Sequence, residues 1–308
     1  MTSMKKVEQI KIKKGMKADE LVREMGKIGV MQGSRIGKAV DILEKMIKDK
    51  NCKIFLGQAG ALVPGGMRNI LSDILRNKLI DVFVCTGASL THDLAEALGY
   101  NHLQGHEDMD DAELNKKGLD RMYNSLMNNK VYEGMEDFFE ENFDEFSKAK
   151  TVRELLWLVG SKIKDDNSVL RQAFLNKIPI FCPALEDSGI GLMIWGRLMK
   201  GKKMEIILFE DLKEIVDIAW TCKKAGVFYL GGGVPKNYIQ QAMQFSPKSA
   251  SYGVQITTDR AEYGGSSGAS LKEGISWGKM DKDGEFVDVY ADTTVVLPLI
   301  YASLKERV

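Results

Sequence analysis

One lysine near the end of the chain, Lys279, is set apart from the other charged residues. It lies two positions after Trp277 and two from the nearest other charge, at the end of the stretch GSSGASLKEGISWGK (265–279). A lysine amine is a nucleophile only when neutral, so a site that used one would have to lower its pKa by desolvation or nearby positive charge. A shift of about three units costs on the order of 4 kcal/mol. The apolar side chains of Trp277 and Ile275 could supply that, and Glu273 could anchor a distal amine of a substrate; a surface lysine without a chemical role is the alternative.

Five predicted strands end in segments that could bind a nucleotide. The segments are IFLGQAGALVPGG, VFVCTGASLTHD, IFCPALEDSGIG, FYLGGGVPKN and VYADTT. Glycine lets a backbone approach a phosphate closely, and the N-terminus of a following helix supplies N–H donors. Asp187 and Asp292 could accept hydrogen bonds from ribose hydroxyls. None of the segments is a GxGxxG, so turn chemistry alone remains possible, but five together favour a nucleotide-type ligand.

The elements that position these residues follow an alternating pattern. Short apolar runs, such as CKIFLG (52–57), VFYLGGG (227–233) and FVDVYAD (286–292), are separated by amphipathic helical patterns. Strands that are apolar along their whole length indicate a parallel sheet covered on both faces. The sequence therefore predicts an α/β, doubly wound fold in which ligands bind beyond the carboxyl ends of the strands. The stretch of about 105–176 is predicted to be a charged helical insertion without strands.

Composition limits the classes of partner. Lys plus Arg and Asp plus Glu both total 43, so the formal net charge is zero. A neutral chain is not steered onto nucleic acid or an anionic membrane, and we expect neither as a partner. No CxxC or CxxH spacing occurs, so no metal site is predicted, and the four cysteines are expected to be buried thiols in a reducing cytoplasm. No run reaches the roughly 18 apolar residues of a membrane span.

Taken together, these segments resemble the deoxyhypusine synthase family, in its bacterial and archaeal synthase-like branch. The similarity extends in order from about residue 30, through KIFLGQAGALVPGGMRNIL, IPIFCPALEDSGIG and YLGGGVPKNYI to GISWGK and VYADTTVVLPLI. The resemblance implies a Rossmann-like domain over 31–308 after an N-terminal extension over 1–30. It also implies a homotetramer with sites at subunit interfaces, NAD as cofactor, a polyamine substrate and cytoplasmic location. The implied reaction moves the aminobutyl group of spermidine, through an imine on Lys279, to a lysine of the hypusine-bearing translation factor.

The resemblance also assigns residues. Lys279 matches the imine-forming lysine, and the substrate pocket falls at Trp277, Glu273, Gly265, Ser266, Ser267 and Asn237. The cofactor contacts fall at Gly60, Ala61, Thr86, Gly87, Ala88, Asp187, Gly232, Thr258, Asp292 and Thr293.

Four positions depart from the eukaryotic pattern. Asn237 replaces a histidine, Leu192 and Ser266 each replace an aspartate, and His92 replaces a glutamate of the substrate tunnel. A lost charge-assisted contact is worth roughly 1.5–3 kcal/mol when buried and unreplaced. Two alternatives are therefore kept: homospermidine synthase-type transfer to a small amine such as putrescine, and an NAD-binding protein without transferase activity.

His92 has two interpretations of equal weight. It could act as a catalytic acid or base, since it follows a strand end in the expected cofactor region. It could equally be a structural residue at the start of the helix HDLAEAL. His102 and His106 are predicted to be structural.

Overall fold

The computed structural model describes residues 4–308, so the first three residues of the predicted extension lie outside the described part. The helices and strands follow one another along the chain as α1 (Ala18–Lys27), α2 (Met31–Lys48), β1 (Cys52–Gln58), α3 (Arg68–Arg76), β2 (Val82–Cys85), α4 (Gly87–Ala97), β3 (Leu103–Gln104), α5 (Asp111–Lys116), β4 (Leu119–Met122), β5 (Ser125–Asn128), α6 (Val131–Phe146), α7 (Val152–Lys162), α8 (Val169–Asn176), β6 (Ile180–Phe181), α9 (Gly189–Met199), α10 (Leu208–Thr221), β7 (Lys224–Leu230), α11 (Gly233–Phe245), β8 (Ala250–Thr257), β9 (Met280–Tyr290) and α12 (Thr293–Lys305). Two short 3-10 helices span Ala261–Tyr263 and Leu271–Ile275. In residues 4–308, no helix is long and apolar enough to cross a membrane.

The chain divides into two compact units. The first, here called the Lys279 unit, runs to Gly57 and resumes over Val216–Val308; the second, the His92 unit, covers Gln58–Ile215. The predicted boundary at residue 30 stays a prediction.

The Lys279 unit is built on parallel strands. β1, β7, β8 and β9 are neighbours in that order, and Val254 of β8 pairs with both Phe228 and Val287 in parallel register. Every residue of β7 after Lys224 is buried. A strand buried on both faces needs apolar residues at consecutive positions, which is why these runs do not alternate.

The His92 unit contains the parallel pair β2 and β6, in which Phe83 pairs with Ile180. It also contains a small antiparallel sheet in the order β3-β5-β4. The predicted α/β class, with parallel strands alternating with helices, is confirmed. The four cysteines are buried thiols, as expected.

The expectation that 105–176 lacks strands was wrong. Helices α5–α8 dominate this stretch, but β4 and β5 form a hairpin with Leu119 opposite Asn128. Strands of four residues are too short to establish a clear alternation, and the turn carries Tyr123 at a φ of 56° rather than a glycine.

Candidate active site

The backbone at Lys279 is held by a closed turn at the start of β9. Gly278 adopts a φ of 68°, a conformation that glycine reaches without steric cost. The Lys279 N–H then donates to the Gly274 carbonyl oxygen at 2.8 Å, and the Lys279 carbonyl accepts from the Ala250 N–H at 3.0 Å. The backbone of Lys279, at the end of GISWGK, is therefore held by hydrogen bonds through both its N–H and its carbonyl group.

A buried carboxylate holds the 3-10 helix that precedes this turn. One oxygen of Asp288, on β9, accepts from the Leu271 N–H at 3.0 Å and from the Gln255 amide at 3.1 Å. Burial raises the pKa of Asp288, and Arg35 donates to its carbonyl oxygen at 2.8 Å. Asp288 was not among the predicted site residues, because an acid at an alternating position of a strand looks solvent-facing in sequence.

Lys279 is half-buried, and its nearest aromatic partner is Trp277. The lysine Nζ lies 5.0 Å from the centroid of the indole ring. The Trp277 residue is 58% exposed, Ile275 is half-buried and Glu273 is exposed. Trp277 thus contacts Lys279 as expected, but within one chain it does not form a closed apolar wall around the amine.

A second lysine, Lys236, supplies positive charge near Lys279. It is only 5% exposed, and its Nζ donates to the carbonyl oxygens of Ser266 and Ala269 at 2.6 and 2.5 Å. Burial lowers the pKa of Lys236 to about 8; the charge of Lys279 acts in the same direction, while Asp288 and Glu273 oppose it. Sequence reasoning missed Lys236, although its place after the GGG turn was a usable signal.

Two predicted substrate residues, Asn237 and Ser266, line one cavity. Its volume is about 300 Å³, and the other lining residues are Gly233, Val234, Tyr238 and Gln241. The cavity lies at the N-terminal turns of α11, and none of these side chains is charged. Its lining carries two side-chain amides and two hydroxyl groups but no carboxylate.

Gly232 and Ser267 are brought together by a close backbone approach. A Cβ on Gly232 would lie 2.3 Å from the Ser267 Cα, so only glycine fits there. The Ser267 hydroxyl donates to the Asp259 carboxylate, a bond that lowers the pKa of Asp259. Gly265 is exposed beside them. The loop after β8 therefore packs on the N-terminus of α11.

The remaining predicted cofactor residues of the Lys279 unit lie at two further strand ends. Thr258 is exposed directly after β8. Asp292, also exposed, is the N-cap of α12, where one carboxylate oxygen accepts from the Thr294 N–H at 2.8 Å. Thr293 is the first residue of that helix.

In the His92 unit, the loop after β1 meets the start of α4. Gly60 has a φ of 79° and, like Ala61, is exposed. The Gln58 amide donates to the Gly60 carbonyl at 3.1 Å, and the Ser89 hydroxyl donates to the same oxygen at 3.4 Å.

The ends of β2 and β6 meet through another glycine. A Cβ on Gly87 would lie 2.5 Å from the Ser188 Cβ, so the loop carrying Asp187 packs on the N-terminus of α4. Thr86 caps this helix by accepting from the Ser89 N–H at 3.3 Å. Ala88 and Asp187 are exposed. The three predicted strand-end segments of this unit are thus adjacent.

His92, on α4, belongs to a chain of polar contacts. Its Nδ1 lies 3.0 Å from Nε2 of His102, and Nδ1 of His102 lies 2.6 Å from Oε1 of Glu96. Burial, with the charge of His102, lowers the pKa of His92 to about 4, while Glu96 opposes the shift. Among residues 4–308, no group of three or more His, Cys, Asp or Glu is arranged to hold a metal ion.

Comparison with known proteins identifies the family. The sequence model of the deoxyhypusine synthase family matches residues 20–304. "Probable deoxyhypusine synthase 1" of Methanosarcina acetivorans is 40% identical over 302 residues, which cover 98% of this chain and 95% of the relative. The protein of the same name from Archaeoglobus fulgidus is 38% identical over 296 residues, with 96% of each chain covered.

A solved structure has the same fold. It is an Entamoeba histolytica protein described as a deoxyhypusine synthase, with a TM-score of 0.65, 24% identity and coverage of 94% of this chain and 93% of that one. The chain therefore belongs to the deoxyhypusine synthase family.

Proposed function

We propose that this protein transfers the aminobutyl group of spermidine, through an imine on Lys279, to a lysine of the hypusine-bearing translation factor. The observation that carries this proposal is the placement of Lys279 in a chain of this family. Its backbone is fixed by the GISWGK turn, its Nζ lies on Trp277, and the charge of Lys236 is close enough to interact.

The covalent steps belong to Lys279. Its neutral amine adds to the imine carbon of the oxidised donor, and the bond from that carbon to the departing amine breaks as a proton moves to the departing nitrogen. The aminobutyl fragment is then an imine of Lys279. The acceptor lysine repeats the exchange, which restores the free amine. Trp277 and Glu273 would orient the donor by cation–π contact and charge.

The residues present fit NAD as the cofactor. α11 begins beside Gly232, and no side chain among the described residues caps its first N–H groups. Gly232 also leaves no space for a Cβ, so this helix end is suited to a phosphate. The exposed carboxylates of Asp187 and Asp292 are suited to ribose hydroxyls. Bound NAD would accept a hydride from the amine donor and later return it.

We also propose that a second copy of the chain covers α9. This helix is apolar along most of its length, yet only Ile190 and Arg197 are buried, while Leu192 and Trp195 are 55% and 59% exposed. A helix that is apolar all round is normally covered, and the homotetramer implied by the family provides the cover. Trp195→Glu is expected to lower the mass measured by light scattering, whereas Leu175→Glu, at an exposed position of α8, is expected to leave it unchanged.

The transfer is tested by mass spectrometry. Purified protein is incubated with NAD, spermidine and the translation factor, and the factor should gain the mass of one butylamine. Absence of that gain, with a positive-control deoxyhypusine synthase active in the same mixture, would overturn the proposed acceptor.

A small-amine acceptor is the second candidate. It is favoured by the uncharged cavity at Asn237 and Ser266 and by the exposed Leu192. It predicts homospermidine from spermidine plus putrescine with no protein acceptor present. A protein that only binds NAD would give neither product, and borohydride would trap no adduct on Lys279.

A further inference from the structure

A three-residue chain of hydrogen bonds in the His92 unit has no part in the steps described above. Glu96 Oε1 contacts Nδ1 of His102, and Nε2 of His102 contacts Nδ1 of His92. The two rings meet edge to face, with centroids 5.0 Å apart. His102, predicted to be structural, is therefore in contact with the histidine that was predicted to be catalytic.

When both imidazoles are neutral, the hydrogen bonds among Glu96, His102 and His92 determine which ring nitrogens carry protons. A carboxylate only accepts hydrogen bonds, so Nδ1 of His102 must carry a proton. Nε2 of His102 is then a bare acceptor, and the contact at 3.0 Å requires a proton on Nδ1 of His92. Nε2 of His92 then also lacks a proton, and unlike Nε2 of His102 it accepts no hydrogen bond within these three residues.

That nitrogen is accessible. It has no hydrogen-bond partner among the described residues, and it is not among the buried side-chain atoms that lack one. A side-chain nitrogen with neither exposed surface nor a hydrogen-bond partner would be such an atom. Nε2 of His92 is therefore at least partly exposed to solvent.

The backbone that carries the two histidines is held by further hydrogen bonds. Asp93, next to His92 on α4, is 1% exposed and accepts from the Ser168 hydroxyl and from the N–H groups of Val169 and Leu170 at 2.7–2.9 Å. Glu96 also accepts from the His102 backbone N–H at 2.9 Å. The helix and the following loop thus hold both rings in register.

We propose that Glu96 and His102 are positioning residues that hold His92 as its Nδ1–H tautomer and thereby present Nε2 as a neutral acceptor for an N–H group of an amine substrate. The tautomer stands on geometry alone; the amine class of the ligand rests on the proposed function. The lowered pKa of His92 agrees with a ring that stays uncharged at neutral pH and does not repel an ammonium group.

The tautomer can be read directly by 15N NMR of protein labelled at histidine. The chain has three histidines, so single His→Gln replacements assign every ring. At pH 8.5, above the ordinary imidazole range, His92 and His102 should both show protonated Nδ1 and bare Nε2. A protonated Nε2 on His92 would overturn the inference.

Two variants separate positioning from simple packing. His102→Phe keeps an aromatic ring but removes the acceptor, so His92 should become a mixture of tautomers and KM for the amine should rise about tenfold, with a smaller change in kcat. His102→Gln restores a hydrogen-bond acceptor. It should recover most of the single His92 tautomer and most of the native KM. His106→Gln, at an exposed position, is the matched control. An unchanged His92 tautomer in His102→Phe would contradict the role of His102.

Amine binding is tested on the same signal. Spermidine or putrescine should shift the His92 Nε2 resonance. If the protein transfers aminobutyl groups while this resonance stays unmoved, the acceptor role is overturned and the proposed function stands. If the resonance shifts but no transfer occurs, the inference holds and the proposed function fails.

Discussion

The Nζ of Lys279 lies 5.0 Å from the centre of the Trp277 ring, and Trp277 is more than half exposed. The amine thus has an aromatic neighbour on one side and an open approach on another. This arrangement suits a lysine whose amine is proposed to react first with the amine donor and then with the acceptor.

Replacing Lys279 should abolish covalent chemistry. Lys279→Arg keeps a positive charge but cannot form an imine, so transfer is expected to fall at least about a thousandfold. Borohydride added with NAD and spermidine should trap an adduct on the native chain and none on the variant. Lys272→Arg, an exposed lysine of the same segment, is the control and should behave as native. Trapping on Lys279→Arg would assign the carrier role to another lysine.

Removing the Trp277 ring should weaken amine binding without unfolding the protein. A cation–π contact at an exposed site is worth about 0.5–1 kcal/mol, so Trp277→Ala should raise KM for the amine about two- to fivefold, while Trp277→Phe should raise it less. Steady-state kinetics measure both.

Trp220 offers a matched control for this change, because its exposure is 56% in the same unit. Trp220→Ala should leave KM unaltered. Equal effects of the two alanine variants would argue against a specific contact at Trp277.

Lys236 should make stability depend on pH in the alkaline range. Its pKa is about 8 in the folded chain against 10.5 normally, so the unfolded state binds more protons between these values. The free energy of unfolding should therefore rise with pH across this window, by up to about 3 kcal/mol, relative to a variant without the group.

The measurement is urea unfolding of the native chain and of Lys236→Met at pH 7 and pH 10. The stability difference between them should shift in favour of the native chain at the higher pH. Lys272→Met, at an exposed site, controls for general charge effects. A difference that does not vary with pH would mean that Lys236 is not desolvated.

Gly232→Ala should be destabilising. The new Cβ would lie 2.3 Å from a backbone atom of Ser267, so the loop after β8 must move, at a cost of roughly 1–3 kcal/mol. The affinity of the Gly232→Ala variant for NAD, measured by calorimetry, should also be lower.

The control is Gly33→Ala in α2, where a Cβ would meet only Cδ1 of Ile28, at an ordinary contact distance of 3.6 Å. This change should be neutral or stabilising by up to about 1 kcal/mol, since alanine favours a helix interior. If the two variants have the same free energy of unfolding, the close approach at Gly232 does not restrict that position to glycine.

The sequence predicted the strands and their carboxyl-end loops well, because both leave local signals. The apolar run of β7 and the glycines after it belong to one short segment, and the structure places each where it was expected. The closed turn before Lys279 likewise depends on residues within ten positions of it.

What the sequence did not reveal depends on distant partners. Lys236 lies near the start of an ordinary helix, and only the carbonyl groups of Ser266 and Ala269, 30 and 33 positions later, make it a buried cation. His102 gained its role from a contact with His92, ten positions earlier on α4. Neither pattern has a spacing that a linear reading can recognise.

The hydrogen bonds on either side of Lys279 anchor only its main chain. Four methylene groups separate that anchor from the amine, and each bond between them can rotate. A fragment attached to the amine can therefore be carried from the donor to the acceptor on a tether with a fixed base, while the strand behind it stays still.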